Sequence, residues 1–312
     1  MPEASSMQYR TLGRTGERVS LVGLGGYHVG RAADEQTAIA IVRTALDRGL
    51  NFMDNCWSYH EGRSEVLMGK ALRDGYRAKA FLMSKIDART RKVALGQIDE
   101  SLRRLQTDVI DLVQIHEVVR MEDPDWCFAP DGAIEGLVEA RRLGKIRYIG
   151  FTGHKDPAMH LKMLATARAA GFAFDTVQMP LSVLDHHYEN HSFERQVLPV
   201  LVAENVGVLG MKPLAQGRIP ESGAVSAVDC LRYALSLPTS VVITGCDSLE
   251  RLEQAIQTAV SFQPLTPAET ADILARTRDL GKLGDSEPWK TTTNHDGTSR
   301  NPDWMWERVA WA

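Results

Sequence analysis

The feature that most restricts this chain is an alternation of short apolar runs with amphipathic helical stretches, repeated eight times. Leu21-Val22-Gly23-Leu24-Gly25 is followed by the stretch 34–47, where Ala38, Ile41, Val42 and Ala45 fall on one helical face. The same order recurs with strands predicted near 50–54, 80–85, 109–115, 146–150, 175–178, 206–211 and 240–244. Helices are predicted near 63–73, 91–105, 132–143, 157–169, 194–204, 226–236 and 248–260. Runs such as Val109-Ile110-Asp111-Leu112-Val113 and Ser240-Val241-Val242-Ile243-Thr244 are apolar almost throughout, as a parallel sheet covered by helices requires. Eight such units without a long Pro- or Ser-rich linker predict an α/β fold, a (β/α)8 TIM barrel, rather than two doubly wound domains.

The whole of 1–312 is expected to form one domain, with the barrel at about 21–260 and a C-terminal extension at 261–312. Before the repeat, Tyr9-Arg10-Thr11-Leu12 and Arg18-Val19-Ser20 flank Gly13 to Gly16 and predict an N-terminal β-hairpin. After it, Pro267 opens a predicted helix over 267–281. The remainder, from Gly284, is polar and turn-rich, yet holds Trp289, Trp304, Trp306 and Trp311, four of the six tryptophans. So many large rings are expected to pack over the barrel or against another subunit, which makes a homo-oligomer through the tail an option.

Composition narrows the function. Lys plus Arg at 36 against Asp plus Glu at 40 gives a formal charge of −4, without the basic footprint of a nucleic-acid or polybasic membrane protein. No apolar run approaches the roughly 20 residues that cross a bilayer, and Met1 to Met7 lacks the order of a signal peptide, so a cytoplasmic protein is expected. Cys56, Cys127, Cys230 and Cys246 are scattered without a CxxC pair and are read as reduced packing thiols. Asp185-His186-His187-Tyr188 and His191 are not read as a metal site, because consecutive histidines point in different directions; contact with substrate suits that loop better. No metal is expected.

In a barrel of this kind chemistry gathers at the C-terminal ends of the strands. Asp54 ends the second strand, Tyr59 lies five residues on, Lys85 ends the third and His116 the fourth. Taken singly, such residues are rim charges, helix caps or structural histidines. Together, on consecutive strand ends, they form a proton-donating site for a carbonyl: Asp54 holds Lys85 charged, the ammonium favours tyrosinate and lowers the Tyr59 pKa, and His116 hydrogen-bonds a substrate oxygen. Tyr27, His28, Trp57 and Trp126 fall in neighbouring strand-end loops and are expected to wall the pocket or simply to pack, with Trp57 and Trp126 assigned to the substrate side.

At these residues the sequence resembles the aldo-keto reductase superfamily. Asn51-Phe52-Met53-Asp54-Asn55-Cys56-Trp57-Ser58-Tyr59, followed by Ser64-Glu65-Val66-Leu67-Met68-Gly69-Lys70-Ala71-Leu72, is similar to the signature around that family's Asp and Tyr, and Lys85 and His116 match its other two catalytic positions. The resemblance runs from about Tyr9 to Ala259. It implies reduction of an aldehyde or ketone, or oxidation of the corresponding alcohol or sugar, with NADPH or NADH. Tyr59 is then the general acid, Lys85 and Asp54 tune it, and His116 orients a small carbonyl or alcohol substrate.

The resemblance also places a cofactor site. Gly26 and Tyr27 follow the first strand, beside Asp54. Where the family usually has Ser-Asn, this chain has Thr152-Gly153-His154: the hydroxyl is kept, the amide is lost, and His154 is either its substitute or a surface side chain. Gln178 matches the other amide-binding position. Met211 stands where relatives often carry an aromatic residue on the nicotinamide, and Lys212, Leu214, Gly217 and Arg218 lie along the expected pyrophosphate path. Gly245, Cys246 and Asp247 lead into the last barrel helix, and Arg251 matches a position that grips a 2′-phosphate. Asp247 and Glu250 oppose that phosphate, or form the Asp-x-x-Glu cap of the helix. On balance NADP(H) is favoured over NAD(H). Two other classes are kept: a Schiff-base aldolase or lyase with Lys85 as nucleophile, and a cofactor-sensing binding subunit docking through the tryptophan-rich tail.

Overall fold

The structure, a computed structural model, describes residues 6–307; Met1–Ser5 and Trp311 lie outside the described residues. The strands are β1 (Tyr9–Thr11), β2 (Arg18–Ser20), β3 (Val22–Gly25), β4 (Phe52–Asp54), β5 (Phe81–Ile86), β6 (Ile110–Ile115), β7 (Ile146–Thr152), β8 (Thr176–Pro180), β9 (Gly207–Met211) and β10 (Val241–Thr244). Strands β3 to β10 form a closed parallel barrel, sealed where Val242 of β10 lies opposite Val22 of β3. The eight-unit alternation is thus a barrel of the (β/α)8 type, with β1 and β2 as the expected antiparallel hairpin outside it.

Two apolar layers follow from strand alternation. Inward residues Phe52, Phe81, Met83, Leu112, Leu209, Val241 and Ile243 fill the barrel, and Leu12 and Val19 of the hairpin segment close its lower end. Outward residues such as Val22, Leu24, Val113, Ile149 and Val177 pack against the helices. The helix Glu35–Asp47 buries Ala38, Ile41, Val42 and Ala45, the face its periodicity predicts, and Asp34 caps it by accepting from the Thr37 N–H at 2.7 Å. One expected helix is broken: 194–204 is two pieces, Phe193–Gln196 and Leu198–Ala203. Pro199 lacks an N–H and crowds the preceding turn, so a continuous helix cannot pass through it.

Beyond the helix Pro267–Gly281 the chain turns back over the C-terminal end of the barrel in short helical turns, Pro288–Thr291, Gly297–Arg300 and Asp303–Trp306. Trp289 is fully buried in a cluster with Val183, Leu184, Ala215, Ile219 and Tyr233. Beside it the Lys290 ammonium, also buried, donates to Asp185 at 2.6 Å and to Glu287 at 2.9 Å. Further along, the Gly297 and Thr298 N–H groups donate to the Glu117 carboxylate at 2.8 and 2.6 Å, and the Arg89 N–H donates to the Met305 carbonyl at 2.9 Å. The tail is therefore packed on the barrel, one of the two fates its tryptophans suggested.

Two stability predictions follow from this clasp. Lys290→Met strands two buried carboxylates and should cost about 3–5 kcal/mol, read from the shift in urea midpoint at unchanged slope. Burial, only partly offset by Lys290 and reinforced by Asp185, raises the Glu287 carboxyl from 4.5 to about 7. A group with a raised folded-state pKa contributes stability that is full below the unfolded value and is lost as pH rises through about 7. The Tm difference between wild type and Glu287→Gln should therefore drift against wild type between about pH 5 and 8. A constant difference would show that Glu287 does not govern the clasp.

Candidate active site

The strand ends bring the four expected residues together. Asp54 closes β4 and Lys85 is the penultimate residue of β5; both are buried, at 4% and 1% exposure. The Lys85 ammonium donates to Asp54 Oδ1, to the Asn55 carbonyl at 2.8 Å and to the Tyr59 hydroxyl at 3.4 Å. Its Nζ also lies 5.0 Å from the centroid of the Tyr59 ring. The second Asp54 oxygen accepts from Gln178 Nε2 at 2.9 Å. Tyr59 is held over the pair by a tight turn in which its N–H donates to the Cys56 carbonyl at 3.2 Å, and the preceding Trp57 N–H donates to the Lys85 carbonyl at 3.0 Å.

His116, just past β6, meets the Tyr59 ring edge-on at 5.9 Å. Its Nδ1 lies 2.8 Å from Asp87 Oδ1 and 3.2 Å from Cys56 Sγ, which leaves Nε2 as the ring nitrogen without a partner among the described residues. Burial disfavours the imidazolium, but the Cys56 sulfur and the Asp87 carboxylate outweigh it and push the His116 pKa well above 6.5.

The expected effect on Tyr59 is reversed. Burial, followed by the charge of Asp54, pushes its phenol well above 10, so Lys85 does not make it acidic. The physical reason is that the ammonium is matched by Asp54, and a neutralised cation offers little field to a third group. Tyr59 accordingly holds its proton, which is the state a proton donor needs.

The expected cofactor residues line the same end of the barrel. Gly26 has no room for a Cβ against the Asp54 carbonyl, so glycine is required there. Tyr27 is exposed and packs its ring edge on Tyr59 at 5.4 Å. Thr152 pairs in register with Gln178, and its carbonyl accepts from the Val118 N–H at 2.9 Å. Gly153 follows it and packs on the Val118 carbonyl. His154 is not a surface side chain: it is buried, its Nε2 lies 3.0 Å from Asp296, and burial lowers its pKa. Gln178 donates its amide to Asp54 and keeps a buried Oε1 without a hydrogen-bond partner among the described residues.

Met211 ends β9 half-buried, and Lys212 takes a positive φ of 56°. The Lys212 ammonium lies 5.4 Å above the Trp289 ring with no hydrogen bond or ion pair among the described residues, and burial brings it down to about 8. Leu214 is half-buried, Gly217 adopts a φ of 94° that suits glycine, and Arg218 is exposed. Gly245 lies against the His28 ring, and Cys246 is buried, which raises its thiol to about 12. The last barrel helix, Leu249–Val260, is capped by Ser248 rather than by the expected Asp247 pattern. Asp247 instead accepts from Arg251 Nη1 through both oxygens at 2.9 Å.

On the substrate side, Trp57 is buried and donates its indole N–H to Glu100 at 2.7 Å, with Trp304 of the tail packed edge-on at 6.1 Å. Trp126 is half-buried in the helix Asp123–Phe128, against Trp306. The loop histidines share no site: His186 pairs with Glu194, His187 with Thr277 and His191 with Asp156. Sequence reasoning passed over Asp87 and Cys56. Each stands two residues after a named one, Lys85 and Asp54, and strand alternation points such pairs the same way. The contributions of Glu117 and Asp296 carry no comparable signal, since the tail alone creates their contacts.

Comparison with known proteins agrees with the barrel fold. Residues 21–227 match the Aldo/keto reductase family. Aldo-keto reductase YhdN of Bacillus subtilis is 29% identical over 226 residues, 68% of this chain, and the match spans only 63% of that protein. L-galactose dehydrogenase of Arabidopsis thaliana is 32% identical over 231 residues, 70% of this chain and 69% of that one. A probable voltage-gated potassium channel subunit beta of rice, Oryza sativa subsp. japonica, is 28% identical, with 68% of this chain and 65% of its own covered. Among solved structures, the holo form of aldo-keto reductase AKR11C1 from Bacillus halodurans superposes with a TM-score of 0.73 at 25% identity, over 86% of this chain and 96% of that one. The barrel, its strand-end residues and these matches together make the chain a member of the aldo/keto reductase family.

Proposed function

We propose that the protein reduces an aldehyde or ketone, or oxidises the matching alcohol, with Tyr59 as the group that gives or takes the proton. The observation that carries this reading is the contact of the Tyr59 hydroxyl with a buried Lys85–Asp54 pair at a strand end, beside the free edge of His116. A nicotinamide dinucleotide, when bound, supplies the hydride. Tyr59 donates its proton to the carbonyl oxygen, and His116 Nε2, held outward by the bonds to Nδ1, donates a hydrogen bond that orients the same oxygen. Lys85 holds the phenol in place. Gln178 fits a carboxamide, since its unsatisfied Oε1 is a buried acceptor beside Asp54. Lys212, just past β9 and without an ion pair among the described residues, suits a phosphate or other anion on the diphosphate side.

Arg251 supports NADP(H) over NAD(H), because its guanidinium is exposed at a helix start and presents a fork suited to a 2′-phosphate. Asp247 competes for that fork. A cytosolic setting suits the reading, and no described helix is long and apolar enough to cross a membrane. The aldolase reading loses ground, because Lys85 is buried and already engaged by Asp54 and the Asn55 carbonyl.

Tyr59→Phe should lower turnover on any accepted carbonyl by about 10²–10⁴-fold while leaving cofactor affinity within about twofold, measured by fluorescence titration. Turnover near wild type would remove Tyr59 from the acid role. Arg251→Ala should weaken NADPH about tenfold and leave NADH unchanged, whereas Asp247→Asn should tighten NADPH by freeing the fork. Equal losses for both cofactors would withdraw the preference for NADP(H).

A further inference from the structure

Among the charges of the described residues around His116, the Asp87 carboxylate is answered by the imidazole alone. Lys85 is matched by Asp54, and Arg89, fully buried, is matched by Asp123, to whose Oδ1 its Nε donates at 2.9 Å. No lysine or arginine forms an ion pair with the Asp87 carboxylate among the described residues, although it is only 1% exposed. Its Oδ1 lies 2.8 Å from His116 Nδ1, and its Oδ2 is buried without a partner in hydrogen-bonding geometry. The Cys56 sulfur approaches the same Nδ1 at 3.2 Å. One ring nitrogen carries at most one hydrogen, so it cannot make full bonds to the carboxylate and the sulfur together. Nor is this a Cys–His–Asp relay, in which nucleophile and carboxylate must sit on opposite ring nitrogens.

The same three atoms satisfy a different requirement. Cys56 Sγ, an Asp87 oxygen and His116 Nδ1 all lie within 4.8 Å of one another. They come from the ends of β4, β5 and β6, 29 to 60 residues apart, so no ligand-spacing motif announces them. A thiolate, a carboxylate and an imidazole suit zinc in type and number, and three protein ligands with one open position is the pattern of accessible zinc sites. Cys56 and Asp87 are buried, and His116 is the partly exposed ligand of the three. The geometry points to a divalent zinc-class cation site formed by Cys56, Asp87 and His116, next to Tyr59. On binding, Cys56 gives up its thiol proton and His116 any proton on Nδ1 to solvent. Metal–sulfur, metal–oxygen and metal–nitrogen bonds replace the hydrogen bonds, and two anionic ligands balance the dication. His116 then keeps its hydrogen on Nε2, the edge turned toward the cleft.

The experiment uses the full chain, stripped with chelator and free of dinucleotide and substrate, so its outcome is independent of the reductase reading. Dialysis against zinc should leave one tightly held equivalent per chain. Cobalt in its place should give the visible bands of a tetrahedral site and a near-ultraviolet thiolate-to-cobalt transition. Cys56→Ala should abolish that transition, Asp87→Asn should weaken zinc by about tenfold or more, and Cys246→Ala should change neither. Circular dichroism establishes that each variant folds; if Cys56→Ala does not, the cobalt spectrum of wild type and of Cys246→Ala decides. A wild-type protein without the thiolate-to-cobalt transition, or a transition that survives in folded Cys56→Ala, overturns the site.

Discussion

Everything at the mouth of this barrel is arranged around one buried ion pair, Lys85 with Asp54. Removing two charges from water is costly, and the pair is tolerable only because its remaining bonding capacity is met by Gln178, the Asn55 carbonyl and the Tyr59 hydroxyl. Those bonds fix four strand or loop ends relative to one another: β4, β5, β8 and the turn that carries Tyr59. The neutrality of the pair also governs the phenol. An isolated ammonium at this distance would favour tyrosinate, whereas a matched one leaves burial to dominate, and Tyr59 stays protonated. The site is therefore built to hold a proton until an acceptor arrives.

The barrel was legible in the sequence because its two governing periods are local. Strand runs and helix faces repeat within windows of about a dozen residues, and the helices 91–105, 157–169 and 267–281 coincide with their predicted bounds. The break at Leu198 was visible as Pro199 but was overridden by the apolar pattern around it. Within the site, the strand-end rule located Asp54, Lys85, His116 and Gln178, since it depends only on where a strand stops. It gave no account of pairing. That Lys85 is neutralised and that His154 is buried against the tail depend on distances between segments far apart in the chain.

The tail is the largest such case. Nothing in the order of residues 284–307 states that Asp296 will meet His154 and Lys155, or that the Glu117 carboxylate will accept two of its N–H groups. The tryptophans signalled only that the segment had apolar area to bury. In the structure the segment is packed on the barrel, and the polar contacts hold it there. Glu117 stands directly after His116, so the bond that anchors the tail is adjacent in sequence to a site residue. Docking of the tail therefore bears on the segment that carries His116.

Matching the charges across this face leaves two remainders of opposite sign. Most buried ions are paired: Lys85 with Asp54, Arg89 with Asp123, Lys290 with Asp185 and Glu287, Lys155 with Asp296. Among the described residues Lys212 has no ion-pair partner, and Asp87 has only the His116 imidazole. Stability alone does not favour either, since a charge taken out of water with little to answer it is costly. Their positions fit a different logic. Lys212 lies just past β9 and Asp87 just past β5, both at the C-terminal end of the barrel, so an anion would suit the first and, on the reading proposed above, a cation the second. A ligand carrying phosphate would complete the first, and a divalent ion would answer the second more fully than the imidazole alone.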